Sequence, residues 1–277
     1  MTESSRVVMR KLTADDIPSA VELSAEAGWN QTVEDWWTLI ELTPESCLAI
    51  EFDGELAATT TLLCHGRRLA WIGMVLTRIR YRGHGFARCL MTEALRLADQ
   101  MRIETVKLDA TDQGRPLYEK MGFRCEQAVE RWWGKGEGGR AVAAIIDQQL
   151  SQDCWRDVDL GAFGADRTEL LSTLARRNPP LLLGDSYLFT RPGRVASYLG
   201  PCVCETPESA STLMQRALQT PSHGGWYWDL LPANLQAAAT ARALDFTPQR
   251  HLTRMVRGKE LRAKELAIYA TAGFELG

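Results

Sequence analysis

The stretch RYRGHGFARCLM, residues 80–91, constrains this chain more than any other. Two glycines lie among arginines. The run then passes straight into apolar residues at helical spacing: Phe86, Leu90, Ala94, Leu97 and Met101. Just upstream, LAWIGMVL (69–76) reads as an apolar strand ending near Leu76. A strand, a bare basic turn and a helix are therefore expected in that order. The start of a helix leaves backbone N–H groups unpaired and carries the positive end of the dipole, so it attracts anions. Glycine removes the side chains that would hold a phosphate away from the backbone. Arginine adds charge-assisted donors. The stretch reads as a cradle for a pyrophosphate.

Two common cradles do not fit. A Walker loop needs Gly-Lys-Ser/Thr, which is absent. A dinucleotide-binding turn needs a third glycine where Arg88 stands, and it follows a first strand. Here the turn follows a fourth. RVVMRKL (6–12) alternates like a strand, and residues 15–27 and 32–42 read as helices, the second capped by Thr32. SCLAIEF and ELAATTTLLC flank Asp53-Gly54, a hairpin signal. After the cradle helix come a short strand, TVKLDA (105–110), a short helix over 114–121 closed by Gly122, and a strand ending in RWW.

This order, with the motif Arg82-Gly83-His84-Gly85-Phe86-Ala87, resembles the GCN5-related N-acetyltransferases, the GNAT superfamily, whose acyl-CoA motif is Arg/Gln-x-x-Gly-x-Gly/Ala. A second frame, Arg80-x-x-Gly83-x-Gly85, also fits. The later family signature appears as Leu117-Tyr118-Glu119-Lys120-Met121-Gly122-Phe123. The resemblance implies that Arg82, Gly83, His84, Gly85, Phe86 and Ala87 hold the phosphates of acetyl-CoA. It implies that backbone groups of Met74, Val75 and Leu76 face the acetyl and pantetheine, and that Tyr118 protonates the departing thiolate. A phenol suits that role because it keeps its proton at neutral pH. Thr111 stands where the family has Asn, so that contact to the pantetheine arm departs from the pattern. Arg115 would help the phosphates or stay solvated.

A chain of 277 residues suits two domains. GKGEGG (134–139), with its four glycines, marks either a boundary or a hairpin tip. The expected division is a catalytic domain over 1–135 and a second over 140–277. In the second half, NLQAAATARALDF (234–246) repeats the family spacing from Asn234 to Phe246, with Ala241 at the Tyr position and Asp245 at the Gly position. Upstream, VASYLGPCVC runs into a helix led by Glu205 and Glu208, with no glycine between. Acids there satisfy the helix dipole and repel phosphate. The expectation is an α/β fold of tandem GNAT-like domains, each a mostly antiparallel mixed sheet flanked by helices, the second a degenerate copy. That copy would cover the acceptor pocket or serve a structural or dimerising role.

For the acceptor, the segment GWNQTVEDWW (28–37) offers Trp29, Asn30 and Gln31, while Trp36 and Trp37 read as core. In HGGWYWDL, alternation places Trp226 and Trp228 on one face and Tyr227 and Asp229 on the other. Trp228 reads as core packing or as an aromatic wall for an ammonium. Asp109, near a strand end, is the candidate general base, with Glu51 and His84 behind it.

A net charge of −3 gives no bulk attraction to nucleic acid or anionic membrane. No run of eighteen apolar residues and no leader-like start occurs, and the seven cysteines form no CxxC pair. The expectation is a cytoplasmic acetyl-CoA-dependent N-acetyltransferase acting on a small-molecule amine by direct attack, with no metal, and compatible with a homodimer. The rival is a non-catalytic acetyl-CoA-sensing or partner-binding module.

Overall fold

The computed structural model describes residues 6–136 and 154–277. The end of GKGEGG lies outside them. The chain divides into two compact units, Met1–Leu108 and Asp109–Gly277. The fold is mixed α/β.

In the first unit, β1 (Val7–Lys11) is followed by α1 (Ile17–Glu26), α2 (Val33–Leu42), β2 (Cys47–Phe52), β3 (Glu55–His65), β4 (Leu69–Thr77) and α3 (Phe86–Gln100). β5 (Thr105–Ala110) crosses the division. Strand order is β1-β2-β3-β4-β5. The first four are antiparallel, and β5 joins β4 in parallel. The hairpin at Asp53-Gly54 forms with both residues at positive φ, 50° and 83°. α2 begins on a capping box: the Asp35 carboxylate accepts from Thr32 N–H at 2.8 Å, and Thr32 Oγ1 accepts from Asp35 N–H at 3.3 Å. Trp36 is fully buried and its Nε1 donates to Ser24 Oγ at 3.1 Å. Trp37, expected in the core, is 45% exposed. One step round a helix turns a side chain by roughly 100°, so the pair cannot share the narrow face of α2. α3 buries Phe86, Leu90, Met91, Ala94, Leu95 and Ala98 against β3 and β4.

In the second unit, α4 (Arg115–Lys120) and β6 (Arg124–Gly134) precede α5 (Cys154–Phe163), α6 (Thr168–Arg177), β7 (Leu181–Leu183), β8 (Ser186–Arg191), β9 (Ser197–Val203), α7 (Pro207–Ala217), β10 (Trp226–Leu230), α8 (Leu235–Ala243), β11 (Thr247–Gly258) and β12 (Ile268–Ala270). Strand order is β11-β6-β10-β9-β8-β7, with β12 on β9. β6 pairs antiparallel with β10 on one edge and β11 on the other. That pairing explains why the compact units divide at Leu108/Asp109 and not near residue 135. The last strand of the first repeat is laid into the sheet of the second. Its core packs Trp132, Trp226, Trp228 and Phe246 with the buried faces of α7 and α8.

The two helix-to-strand segments of this unit repeat 123 positions apart. Thr111 Oγ1 accepts from Gly114 N–H at 3.1 Å, and Asn234 Oδ1 accepts from Ala237 N–H at 3.1 Å. At the far end, Phe123 N–H donates to Tyr118 O at 3.1 Å and Gly122 N–H to Glu119 O at 3.1 Å. Their counterparts are Phe246 N–H to Ala241 O at 3.0 Å and Asp245 N–H to Arg242 O at 3.1 Å. Both are Schellman caps, which need a left-handed residue just past the helix. Gly122 has φ 87° and Asp245 φ 60°.

Candidate functional site

β4 ends at Thr77, and α3 begins at Phe86. Between them the chain makes one short helical turn, Ile79–Tyr81, and then the glycine turn. Gly83 and Gly85 have φ 84° and 81°, a left-handed conformation that costs an ordinary L-residue about 1–2 kcal/mol. A Cβ at either would meet no protein atom within 4 Å, so what the glycines leave bare is open space. The first backbone bond of α3 runs from Cys89 N–H to Gly85 O at 3.1 Å. Among the described residues, the N–H groups from Gly83 through Arg88 donate to nothing. The helix start has no side-chain cap. Arg82 and Arg88 are exposed and bound to no carboxylate among the described residues. A run of bare N–H donors with two free guanidinium groups fits a diphosphate.

The turn is braced from below. Phe52, Tyr81, His84 and Phe86 form an aromatic cluster with centroids 5.1–6.3 Å apart. His84 Nδ1 lies 3.1 Å from Tyr81 O, so its ring is tied to the turn. Tyr81 OH donates to Glu55 at 2.7 Å, and with Arg80 alongside it holds the Glu55 carboxyl below the usual range. Arg78 Nε donates to Leu56 O at 2.9 Å and pairs with Glu22, Glu26 and Glu55. Arg78 and Arg80 therefore spend their charge on the protein, while Arg82 and Arg88 do not among the described residues.

Upstream, β4 carries a bulge. Its register with β3 passes from Thr61↔Gly73 to Thr59↔Leu76, so Met74 and Val75 stand opposite Thr60 alone. Met74 is buried with φ 51°. On the other edge, pairing with β5 is confined to Ala70↔Val106 and Trp71↔Lys107. Met74 and Val75 thus lie where β4 has left both neighbours, and Leu76 is back in register with Thr59 of β3 but unpaired with β5. No sequence signal announced a left-handed methionine.

Tyr118 sits in α4, 8% exposed. Burial pushes its phenol up to about 12. Its ring meets Phe123 edge-on at 6.2 Å. A Cβ at Gly114 would lie 2.9 Å from the ring, so glycine there makes room for the tyrosine. The hydroxyl has no hydrogen-bond partner among the described residues. It is a protonated donor with nothing to donate to.

Asp109 and Trp228 depart from the base and acceptor roles weighed for them. The Asp109 carboxylate is fully buried and accepts from Nε and Nη2 of Arg254 at 2.9 and 3.0 Å. A carboxylate clamped by a guanidinium in the interior is an ion-pair partner and not a general base. Trp228 is fully buried, donates Nε1 to Tyr269 O at 2.7 Å and meets Phe246 edge-on at 5.4 Å. It is core, as packing demands of an indole whose N–H is satisfied. Arg115 lies on the surface in an i,i+4 pair with Glu119 at 2.7 Å. Asn30 and Gln31 are turned inward, each 6% exposed, while Trp29 is half-buried with its N–H on Ser24 O at 2.9 Å. Glu51, the weaker base candidate, is engaged by Arg10 at 3.0 Å.

The second copy of the cradle is filled. β9 ends at Val203 and α7 starts at Pro207, so the long turn is gone. Thr206 caps α7 by accepting from Ser209 N–H at 3.2 Å, and Glu208 adds negative charge in the first turn. Among the described residues, no group of three or more His, Cys, Asp or Glu side chains could hold a metal ion, and no helix is long and apolar enough to cross a membrane.

Comparison with known proteins agrees with this architecture. The acetyltransferase (GNAT) family model matches residues 13–123, and an acetyltransferase (GNAT) domain model matches residues 156–270. The chain is 24% identical over 221 residues to an uncharacterized N-acetyltransferase, YitH, of Bacillus subtilis, covering 74% of this chain and 76% of that protein. An acetyltransferase candidate from Pyrococcus horikoshii has a fold similar over 98% of this chain and 96% of its own, with a TM-score of 0.88 at 20% identity. A GCN5-related N-acetyltransferase from Sphaerobacter thermophilus matches over 93% of this chain and 98% of its own, with a TM-score of 0.67 at 15% identity. With a GNAT model matched in each half and the strand, turn and helix order in place, the chain belongs to the GNAT acetyltransferase superfamily and carries two GNAT domains in tandem.

Proposed function

We propose that the chain is an acetyl-CoA-dependent N-acetyltransferase acting on a small-molecule amine, with one working cradle. The observation that carries this reading is the run of unpaired N–H groups from Gly83 to Arg88, opened by two left-handed glycines that face empty space. Those groups, with Arg82 and Arg88, would hold the diphosphate of CoA. The bulge at Met74 and Val75 would supply the amide that polarises the acetyl carbonyl. The acceptor enters as its neutral amine, and its lone pair attacks the thioester carbon. The carbon–sulfur bond breaks, the departing thiolate takes a proton from Tyr118, and the new amide nitrogen sheds its extra proton to water, from which the Tyr118 phenolate is reprotonated. Desolvation suits that phenol to the role because it keeps its proton across the physiological range. Trp29, Asn30 and Gln31 remain the proposed acceptor-side residues, placed between α1 and α2.

Release of free CoA thiol, followed while small amines are offered one class at a time, tests the reading. Turnover with an amine and none without it supports transfer. Binding of acetyl-CoA with no release by any amine would instead favour the sensing module.

A further inference from the structure

The β4 bulge raises a question that its own strand does not answer. Met74 is buried and left-handed, and nothing about a methionine prefers that conformation. Its carbonyl is answered from β3. Thr59 Oγ1 donates to Met74 O at 2.8 Å, and both residues are shut away from solvent. Thr59 belongs to a run of three threonines, 59–61. Thr60 points to the opposite face and makes only a 3.4 Å contact with Gly73 O. Thr61 is fully buried, and its hydroxyl has no partner among the described residues. A β-branched side chain is all a strand requires, and valine would supply it. The hydroxyl of Thr59 exceeds what the strand needs, and it is spent on the residue that leaves the ladder.

We infer that Thr59 is a positioning residue that fixes the bulge, and through it the backbone amide that polarises the acetyl carbonyl. The inference rests on the proposed acetyl-CoA chemistry and assigns it a residue outside the cradle and the signature helix. Holding the Met74 carbonyl fixes the peptide plane between Met74 and Val75, because carbonyl and following N–H share that plane. The Val75 amide is therefore aimed by a side chain on the neighbouring strand. Without the hydroxyl the buried carbonyl loses a partner, and the plane is free to rotate to find another.

The test uses the full chain with acetyl-CoA carrying a 13C-labelled carbonyl. Infrared difference spectra report how strongly the bound carbonyl is polarised, and calorimetry reports affinity for acetyl-CoA and for CoA. In the wild type the bound carbonyl stretch should fall below its position in water. Thr59→Val should lose at least half of that shift and bind acetyl-CoA about fivefold to tenfold more weakly, one hydrogen bond's worth, with CoA affinity unchanged. Thr59→Ser should restore both, and Thr60→Val should change neither. An unaltered shift in Thr59→Val would overturn the inference. So would equal losses of acetyl-CoA and CoA binding, or failure of serine to rescue. Should the valine variant not fold, Thr59→Ala read by the same two measures decides. A wild type that binds neither molecule would remove the proposed function together with this inference, which separates the two failures.

Discussion

The helix-to-strand segments at α4–β6 and α8–β11 differ in what they kept. Both start on a side-chain oxygen three residues ahead of a backbone N–H, and both end on a Schellman cap. In the first, the buried position is Tyr118, with Gly114 making room for its ring. In the second it is Ala241, fully buried, and nothing is left to donate a proton. The left-handed position is glycine in one and aspartate in the other. A second pair of regions tells the same story. The turn into α3 is bare, while the turn into α7 is short, capped and acidic. The backbone geometry persisted in the second repeat because it closes helices and places strands. The groups to which the proposed chemistry is assigned did not.

Where the two repeats remain equals is in their ion pairs. Arg131 of β6 meets Asp229 at 2.6 Å, and Arg254 of β11 meets Asp109 at 2.9 Å. The arginines are 123 positions apart, like the signatures. Each guanidinium is closed off from solvent. The comparison therefore predicts its largest effects here. Arg131→Met and Arg254→Met should each cost about 3–5 kcal/mol in denaturant unfolding, because each leaves a carboxylate buried without its partner. Adding Asp229→Leu to Arg131→Met should recover much of the loss. A cost near zero for one and not the other would break the equivalence.

Tyr118→Phe should lower turnover about a hundredfold or more, the usual worth of a positioned acid, with acetyl-CoA affinity unchanged. Ala241→Phe, its counterpart, should disturb packing and leave turnover to the folded fraction. Stability supplies a second handle. Burial raises the Tyr118 phenol to about 12 in the folded chain, against about 10 when unfolded. Its contribution is fully present below pH 10 and is lost as pH rises from about 10 through 12, since only the unfolded chain then releases the proton. The phenylalanine variant should lose less stability than the wild type across that window.

The smallest effects sit at the caps. Gly122→Asp should destabilise the chain by about 1 kcal/mol, and Asp245→Gly should stabilise it by a similar amount, because both positions demand a left-handed residue. Thermal unfolding of the two variants would show shifts of opposite sign.

Much of this was legible before the fold. Gly83, Gly85 and Gly122 were readable because left-handed turns need glycine, and Asn234 to Phe246 because a cap spacing survives substitution. Met74 was not, since a bulge is set by register with β3 and leaves no mark in WIGMVL. The ion pair of Asp109 was not legible for a related reason. Its partner, Arg254, lies 145 positions along the chain and is brought close by strands the sequence does not pair. The glycine run at 134–139 lies between the two family matches, and the pairing of β6 with β10 and β11 left no mark in it.

The central claim is one working cradle in a chain with two GNAT domains. Calorimetric titration of the wild type and of Gly85→Glu with acetyl-CoA tests it most directly. Glutamate would add a strained left-handed side chain and a negative charge where the phosphates should sit. The account predicts one site per chain in the wild type and none detectable in the variant. Two sites per chain, or binding that survives Gly85→Glu, would contradict it.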